Sequence, residues 1–123
     1  MTDQDLPPLE RQRIDELHQL GAMTGMSLVR NVLTTWLDEL PANVDRIREA
    51  IHTGDAAALK FSAHGLKASS AQIGAVAVAS ACLALEHASP ADASPLLARL
   101  EHEVERVTPL LMIERDAEPP SGN

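Results

Sequence analysis

The chain has 123 residues and a formal net charge of −8 at pH 7, enough for one domain with a single core. It contains one Phe, one Trp and no Tyr among 45% hydrophobic residues, which favours closely packed helices over a sheet. The acidic balance argues against a nucleic-acid partner, the lone Cys82 excludes an internal disulfide, and no apolar run approaches membrane-spanning length, so we expect a cytoplasmic protein without direct membrane contact.

The first predicted elements are a polar leader and a short helix. Residues 1–8 end in two prolines and predict a flexible leader, without the positive charge of a signal peptide. Apolar positions from Leu9 onward predict a helix that ends at Gly21. Thr24 or Gly25 is expected to open the next and much longer helix.

The long second helix carries apolar residues at steps of three and four as far as Ile51. Pro41 interrupts this pattern. Because proline lacks a backbone donor and clashes with the preceding turn, we expect a kink or a break there. Gly54 is the expected end of the helix, and Asp55 is the expected N-cap of the next one.

Three further helices complete the pattern. The third runs from residue 56 to 73 and is ended by Gly74, the fourth covers residues 75–87, and the last follows a loop at 88–95 that contains two prolines. The predicted buried positions are Leu59, Ala63, Leu66, Ser70 and Ile73 in the third helix, Val78, Cys82 and Leu85 in the fourth, and Leu97, Leu100, Val104, Val107 and Leu111 in the last.

These elements predict an all-α fold: an antiparallel four-helix bundle with a short additional N-terminal helix. The bundle domain is expected to span residues 9–113. Residues 114–123 are polar and contain two prolines, which predicts a disordered tail. We expect the domain to be a monomer.

The only two lysines of the chain, Lys60 and Lys67, flank His64 at positions i−4 and i+3 of the third helix. The three side chains therefore share one helix face and form a positive patch in an acidic chain. A neutral imidazole can attack an activated phosphoryl group, and lysines can offset the charge of its oxygens. No phosphate loop, carboxylate cluster or base is apparent near His64, so the partner is expected to bring the catalytic apparatus.

The run from His64 to Ala75 resembles the phosphoacceptor motif of histidine-containing phosphotransfer (HPt) domains, His-x-Leu-Lys-Gly-Ser-Ser-x-x-Leu-Gly-Ala. The matching residues are His64, Leu66, Lys67, Ser69, Ser70, Gly74 and Ala75, with Ile73 as a conservative replacement. The resemblance extends more loosely from Leu9 to about Leu111. Ala68 departs from it, because the family has glycine there, and adds a methyl group beside the imidazole.

The resemblance implies that His64 accepts a phosphoryl group from an aspartyl-phosphate on a response-regulator receiver domain and passes it to another receiver. It implies that Lys67 steadies the phosphoryl group, and Lys60 is a second candidate for that role. It also implies a carrier rather than an enzyme, with no cofactor of its own and with magnesium on the receiver. The sequence is compatible with a free-standing protein and with the cytoplasmic C-terminal end of a membrane-bound hybrid sensor kinase, which would then be a further partner.

The partner is expected to dock on the His64 face of the third helix together with the adjoining second helix. The predicted docking residues are Lys60, Gly65, Ala68, Ala71 and Gln72. Ala68 and Ala71 are small enough to let a partner surface approach the imidazole, whereas Gln72 is expected to touch the partner at the rim.

A metal site is considered and not expected. Asp15 with His18, and Glu49 with His52, have the i, i+3 spacing found in di-metal four-helix bundles. Such a site also needs inward carboxylates on other helices, and the inward positions of the last helix are Leu and Val. The remaining polar residues are expected to be solvated or to serve packing: His87, His102, Glu101, Glu103 and Glu105 as solvated residues, and Ser69, Ser70 and Cys82 as packing residues.

The sequence is also compatible with two other classes of function. The first is a helical interaction module that binds a receiver or another regulatory protein without carrying phosphate. The second is a metalloenzyme bundle, which the sequence supports less.

Overall fold

The computed structural model describes residues 6–25 and 27–117, and the regular structure in those ranges is helical throughout. The α-helices found there are α1 (Arg11–Thr24), α2 (Leu28–Thr53), α3 (Ala56–Gln72), α4 (Val76–Glu86) and α5 (Ser94–Ala117). A 3-10 turn at Pro90–Asp92 lies between α4 and α5.

Helices α2 to α5 form a closed four-helix arrangement. Helix α2 packs against α3 and α5, and α4 packs against the same two helices. Successive helices are joined by short connections, which makes neighbours along the chain antiparallel. Helix α1 lies against α2 as an additional element. The predicted all-α bundle with a short extra N-terminal helix is therefore confirmed.

The core consists mainly of aliphatic side chains, as the composition predicts, together with Trp36. All five positions predicted to be buried in the third helix are buried, although the last of them, Ile73, lies just beyond the end of α3. The three predicted positions of α4, Val78, Cys82 and Leu85, are buried too. In α5 the buried apolar residues are Leu100, Val107 and Leu111, while Leu97 and Val104 are partly buried against the core. Each fully buried Leu, Ile or Val contributes about 1.5–3 kcal/mol, so this interior is the main source of stability.

The boundary between α1 and α2 differs from the sequence prediction. Helix α1 does not end at Gly21, which is buried inside it, but continues to Thr24. Gly25 ends it by adopting a left-handed conformation (φ 72°), and its N–H donates to the Gly21 carbonyl. Helix α2 begins only at Leu28, so the prediction that Thr24 or Gly25 opens it is wrong.

Helix α2 continues through Pro41, so the break considered for that position does not occur. Pro41 is exposed, whereas its neighbour Leu40 is buried. Proline is tolerated better on an exposed helix face than on a buried one, because its ring does not disturb core packing there.

The boundary between α2 and α3 agrees with the prediction. Gly54 ends α2 with φ 72°, and the side chain of Asp55 caps α3 by accepting a 3.0 Å hydrogen bond from the N–H of Ala58. An N-cap of this kind stabilises a helix by about 1 kcal/mol. The start of α3, and with it the rotational position of every later side chain on that helix, is thus defined by local sequence.

The segments around α5 differ from the prediction in three respects. The loop at 88–95 contains the 3-10 turn and the first residues of α5. Residues 114–117 are helical, not part of a disordered tail. Glu103 is 4% exposed, so it does not belong to the predicted solvated face. Its carboxylate accepts a 2.6 Å hydrogen bond from Arg106 Nη1, one helical turn away, and this pairing makes the burial of its charge tolerable.

The predicted leader and tail fall mostly beyond the described part of the chain. Residues 1–5 and 118–123 lie outside the described residues, and residues 6–8 are not helical. Within the described residues, no helix combines the length and the apolar character needed to cross a bilayer.

Candidate functional site: the His64 face of helix α3

Helix α3 presents His64 to solvent because its opposite side is anchored in the core. Ala63 and Leu66 are buried, with 0% and 2% of their surface exposed, and hold the helix in place. His64 lies about 100° around the helix from Ala63, and its side chain is 65% exposed. The local periodicity alone therefore determines that the imidazole faces outward.

The imidazole is bound by a carboxylate from the neighbouring helix. Glu86, the last residue of α4, places Oε1 2.5 Å from His64 Nδ1, and its Oε2 accepts a 3.1 Å hydrogen bond from Lys67 Nζ. Only 8% of the Glu86 side chain is exposed. One carboxylate thus joins the histidine and the lysine that the sequence places one helical turn apart.

The hydrogen bond from Lys67, followed by that from His64, holds the pKa of Glu86 below its ordinary value. Glu86 is therefore ionised at neutral pH and can only accept hydrogen bonds. A carboxylate at this distance favours the tautomer in which Nδ1 carries the proton. The lone pair then lies on Nε2, the nitrogen that Glu86 does not contact.

The finding of Glu86 corrects the expectation that no base lies near His64. The sequence does contain a signal for it. Gly74 lies ten residues after His64 and twelve before Glu86, and two antiparallel helices joined near Gly74 bring such positions close together. The sequence prediction missed this contact because the motif around His64 ends before α4 begins, and Glu86 lies at the far end of α4.

His87 extends the same cluster. Its Nε2 lies 3.6 Å from Glu86 Oε2, and its side chain is 68% exposed, in agreement with the predicted solvated position. A shallow depression beside His64 is lined by residues of α3 and the end of α4. These are Ala57, Lys60, Phe61, His64, Glu86 and His87.

The two lysines differ in their surroundings. Lys67 is 26% exposed and bound to Glu86, whereas Lys60 is exposed and lines the depression beside His64. The structure thus brings both lysines to the His64 face, as predicted. It ties Lys67 to the imidazole through Glu86, a connection that the sequence prediction did not contain.

The five predicted docking residues all lie at the surface. Lys60, Gly65, Ala68, Ala71 and Gln72 are each exposed on α3. Gly65 also lines a second depression, between α2 and α3, together with Asn43 and Arg46 of α2. The backbone carbonyl of Gln72 accepts a hydrogen bond from Arg13 Nε, so α1 borders this face at its far end.

Phe61 is the part of this face that the sequence prediction missed. Its side chain points away from the core, and the residue is 83% exposed. It lines the depression beside His64 and also the one between α2 and α3. The available signal was its position between the buried Leu59 and Ala63, which directs it outward.

The other residues considered as metal ligands do not converge. His18 Nε2 lies 3.7 Å from Glu114, Asp15 accepts a hydrogen bond from Arg11, and Glu49 and His52 are exposed. Across residues 6–25 and 27–117, no group of three or more His, Cys, Asp or Glu side chains is arranged to hold a metal ion.

The residues expected to serve packing are found in such positions. Ser69 Oγ donates to the Leu66 carbonyl, and Ser70 and Cys82 are fully buried. Burial raises the pKa of the Cys82 thiol to about 12, which leaves it protonated and unreactive at neutral pH.

Comparison with known proteins agrees with this architecture. The Hpt domain family model matches residues 31–108, more than half of the chain. The chain therefore belongs to the Hpt domain family, whose members are generally phosphoryl carriers rather than enzymes and generally interact with receiver domains and kinases. The role of the chain is thus phosphotransfer, in keeping with a two-component phosphorelay.

A solved structure similar to this chain is that of histidine-containing phosphotransfer protein B (HptB) from Pseudomonas aeruginosa PAO1. The two sequences are 26% identical, and the TM-score is 0.79. The alignment covers 91% of this chain and 97% of that chain. No curated protein matches this chain.

Proposed function

We propose that this chain is a phosphorelay carrier in which His64 accepts a phosphoryl group from the aspartyl-phosphate of one receiver domain and passes it to another. The observation that carries the proposal is a solvent-exposed imidazole whose Nδ1 is bound by Glu86. Nε2 is then left as the nucleophilic nitrogen.

The transfer proceeds by displacement at phosphorus. The lone pair of His64 Nε2 forms the new N–P bond, the bond between phosphorus and the aspartyl oxygen breaks, and the aspartate leaves as a carboxylate. Nδ1 keeps its proton throughout, so the phosphorylated ring carries a positive charge. Glu86, 2.5 Å from Nδ1, stabilises that charge, and the same steps in reverse deliver the group to a second receiver.

The lysines act on the phosphoryl oxygens. Lys67 Nζ has three donors and uses one on Glu86, which leaves donors for an arriving phosphoryl group. Lys60 approaches from the opposite side of His64 along α3 and supplies a second, weaker attraction. Glu86 keeps Lys67 close to the imidazole before the partner arrives.

The partner supplies the remainder of the reaction. We expect the receiver domain to hold the magnesium ion, and this chain to carry no cofactor of its own. Docking uses the exposed face of Lys60, Gly65, Ala68, Ala71 and Gln72, with the methyl group of Ala68 small enough to leave the imidazole reachable. We expect the chain to act as a monomer at this face, since a second copy bound there would block the receiver.

Radiolabelled transfer from a phosphorylated receiver domain tests the proposal. The wild-type chain should acquire a label that is labile in acid and stable in base, and His64→Gln should abolish it. The matched control is His87→Gln, because His87 is an equally exposed imidazole beside the same carboxylate. Labelling should persist in that variant.

Two results would contradict the proposal. A label that survives His64→Gln and disappears in His87→Gln would show that His87, and not His64, is the phosphoacceptor. Receiver binding without any labelling of the wild-type chain would instead favour the interaction module that carries no phosphate.

A further inference from the structure

Phe61 is an aromatic side chain that the fold does not use. It is the only Phe of the chain, and it is 83% exposed although the core is built from aliphatic residues and one Trp. The buried side of α3 is formed by Leu59, Ala63, Leu66 and Ser70. Phe61 is not part of this side and does not help to pack the helix against the core. A ring of this size in water is available to bury a large apolar area against another molecule.

The ring stands one helical turn before His64, at position i−3 on the same helix. It forms the ridge between the depression beside His64 and the one between α2 and α3. On the other side of His64, positions i+4 and i+7 are the small residues Ala68 and Ala71. The face therefore has a projecting aromatic group at one end and a flat platform at the other.

Cationic side chains flank this ridge in a chain with a net charge of −8. Lys60 lines the depression on one side of Phe61, and Arg46 lines the one on the other side. Each depression is also lined by one glutamate, Glu86 or Glu39. His64 and Lys67 already bind Glu86, so the exposed cations beside the ridge favour an acidic partner. An aromatic anchor between two cations suits a partner whose apolar pocket lies next to an acidic site.

We infer that Phe61 is the anchor of receiver docking: it inserts into an apolar pocket beside the acidic phosphorylation site of the receiver domain and thereby sets the orientation of His64 toward the aspartyl-phosphate. The inference rests on the proposed function and adds to it the residue that selects the partner. A single buried aromatic anchor can supply much of the affinity of a small, transient interface. The platform at Ala68 and Ala71 allows the partner to close over the imidazole once the anchor is seated.

The anchor and the chemistry can be measured separately. A panel of purified receiver domains from the source organism, each charged with acetyl phosphate, reports docking and transfer together. Phosphoramidate, a small phosphoryl donor, labels histidine without any docked protein. Phe61→Ala should raise the KM for the most active phosphorylated receiver about tenfold or more, with kcat changed less than threefold and labelling by phosphoramidate unchanged.

Two further variants serve as controls. Met23→Ala removes an apolar side chain that is 82% exposed on α1 and lines neither depression, and it should leave the KM unchanged. Phe61→Leu keeps part of the apolar area and should give a KM between those of the wild type and Phe61→Ala. All three variants should unfold at wild-type temperature, since neither side chain is buried.

The outcomes distinguish the anchor from the carrier function. Suppose that the receiver labels the wild-type chain and not His64→Gln, while Phe61→Ala and Met23→Ala have the same KM. The anchoring role of Phe61 is then contradicted, and the carrier function is supported. If phosphoramidate labels the wild-type chain but no receiver of the panel does, the carrier function is overturned and the anchor with it.

Discussion

His64 is bound by a carboxylate that lies 22 positions further along the chain. Without Glu86, a free imidazole prefers the tautomer with the proton on Nε2, which would leave the outward nitrogen without a lone pair for attack. The carboxylate reverses this preference, and under the proposed function it would provide a counter-charge for the phosphorylated ring. Lys67, bound to the same carboxylate, is held within one helical turn of the imidazole.

Replacing Glu86 should therefore change both the tautomer and the rate. We expect Glu86→Gln, which can still accept from Nδ1, to slow receiver-dependent labelling about tenfold, and Glu86→Ala to slow it further, because a hydrogen bond to a charged group contributes about 1.5–3 kcal/mol. Nitrogen-15 NMR of the His64 ring should show the proton moving from Nδ1 to Nε2 in Glu86→Ala. Glu105→Gln, an exposed acidic residue on α5, is the control. An unchanged tautomer in Glu86→Ala would exclude the positioning role.

At the scale of the element, α3 divides its surface between two tasks. One side is a buried stripe that fixes the helix in the bundle, and the other presents the imidazole, the lysines and Phe61. Gly65 lies on the exposed side, and a Cβ added there would meet no atom within 4 Å. Packing therefore does not require glycine at this position, and glycine lowers the intrinsic stability of the helix.

Two glycine substitutions should have opposite effects on stability. Gly65→Ala should raise the free energy of unfolding by about 0.5–1 kcal/mol, because alanine is the better helix former. Gly54→Ala should lower it by about 1 kcal/mol, because Gly54 has φ 72° although the space around it is equally open. Urea unfolding of the two variants measures both changes. A loss of stability in Gly65→Ala would show that this glycine has a structural role.

At the scale of the whole molecule, α1 is fastened to the bundle by polar contacts at two places. The N–H of Glu10 donates to the Gly74 carbonyl over 2.7 Å, at the turn between α3 and α4. Arg11 donates two hydrogen bonds, of 2.6 and 2.7 Å, to the carboxylate of Glu114 on α5, with His18 3.7 Å from the same carboxylate. Helix α1 is therefore tied both to the turn between α3 and α4 and to the C-terminal part of α5.

This attachment should weaken in acid. The hydrogen bond from Arg11 holds the pKa of Glu114 below its ordinary value of 4.5, so its contribution is complete above about pH 4.5 and is lost as pH falls through the lower, folded-state pKa. The free energy of unfolding of the wild type should be higher than that of Glu114→Gln by about 0.5–1 kcal/mol at pH 7, and this difference should approach zero in acid. Thermal unfolding of both proteins from pH 7 to pH 3 measures it. A difference that stays constant over that range would contradict the assignment.

Much of the fold follows from the sequence because its determinants are local. The step of three and four residues fixes which side of each helix is buried, Asp55 fixes where α3 begins, and His64 faces outward because Ala63 and Leu66 face inward. The phosphoacceptor motif is contained within twelve consecutive residues, so it too can be identified from the sequence alone. The prediction failed at Gly21 because a glycine ends a helix only where the backbone turns left-handed, and the chain does so at Gly25.

What only the tertiary structure decided depends on which helices meet. Glu86 joins His64 and Lys67 because α4 returns antiparallel to α3, and Phe61 becomes a ridge because α2 and α4 leave depressions on its two sides. The sequence by itself determined the phosphoacceptor candidate and the face that carries it. The tertiary structure decided which nitrogen of the His64 ring Glu86 binds and which side chains lie beside the ring, since contacts between helices depend on packing and not on spacing along one helix.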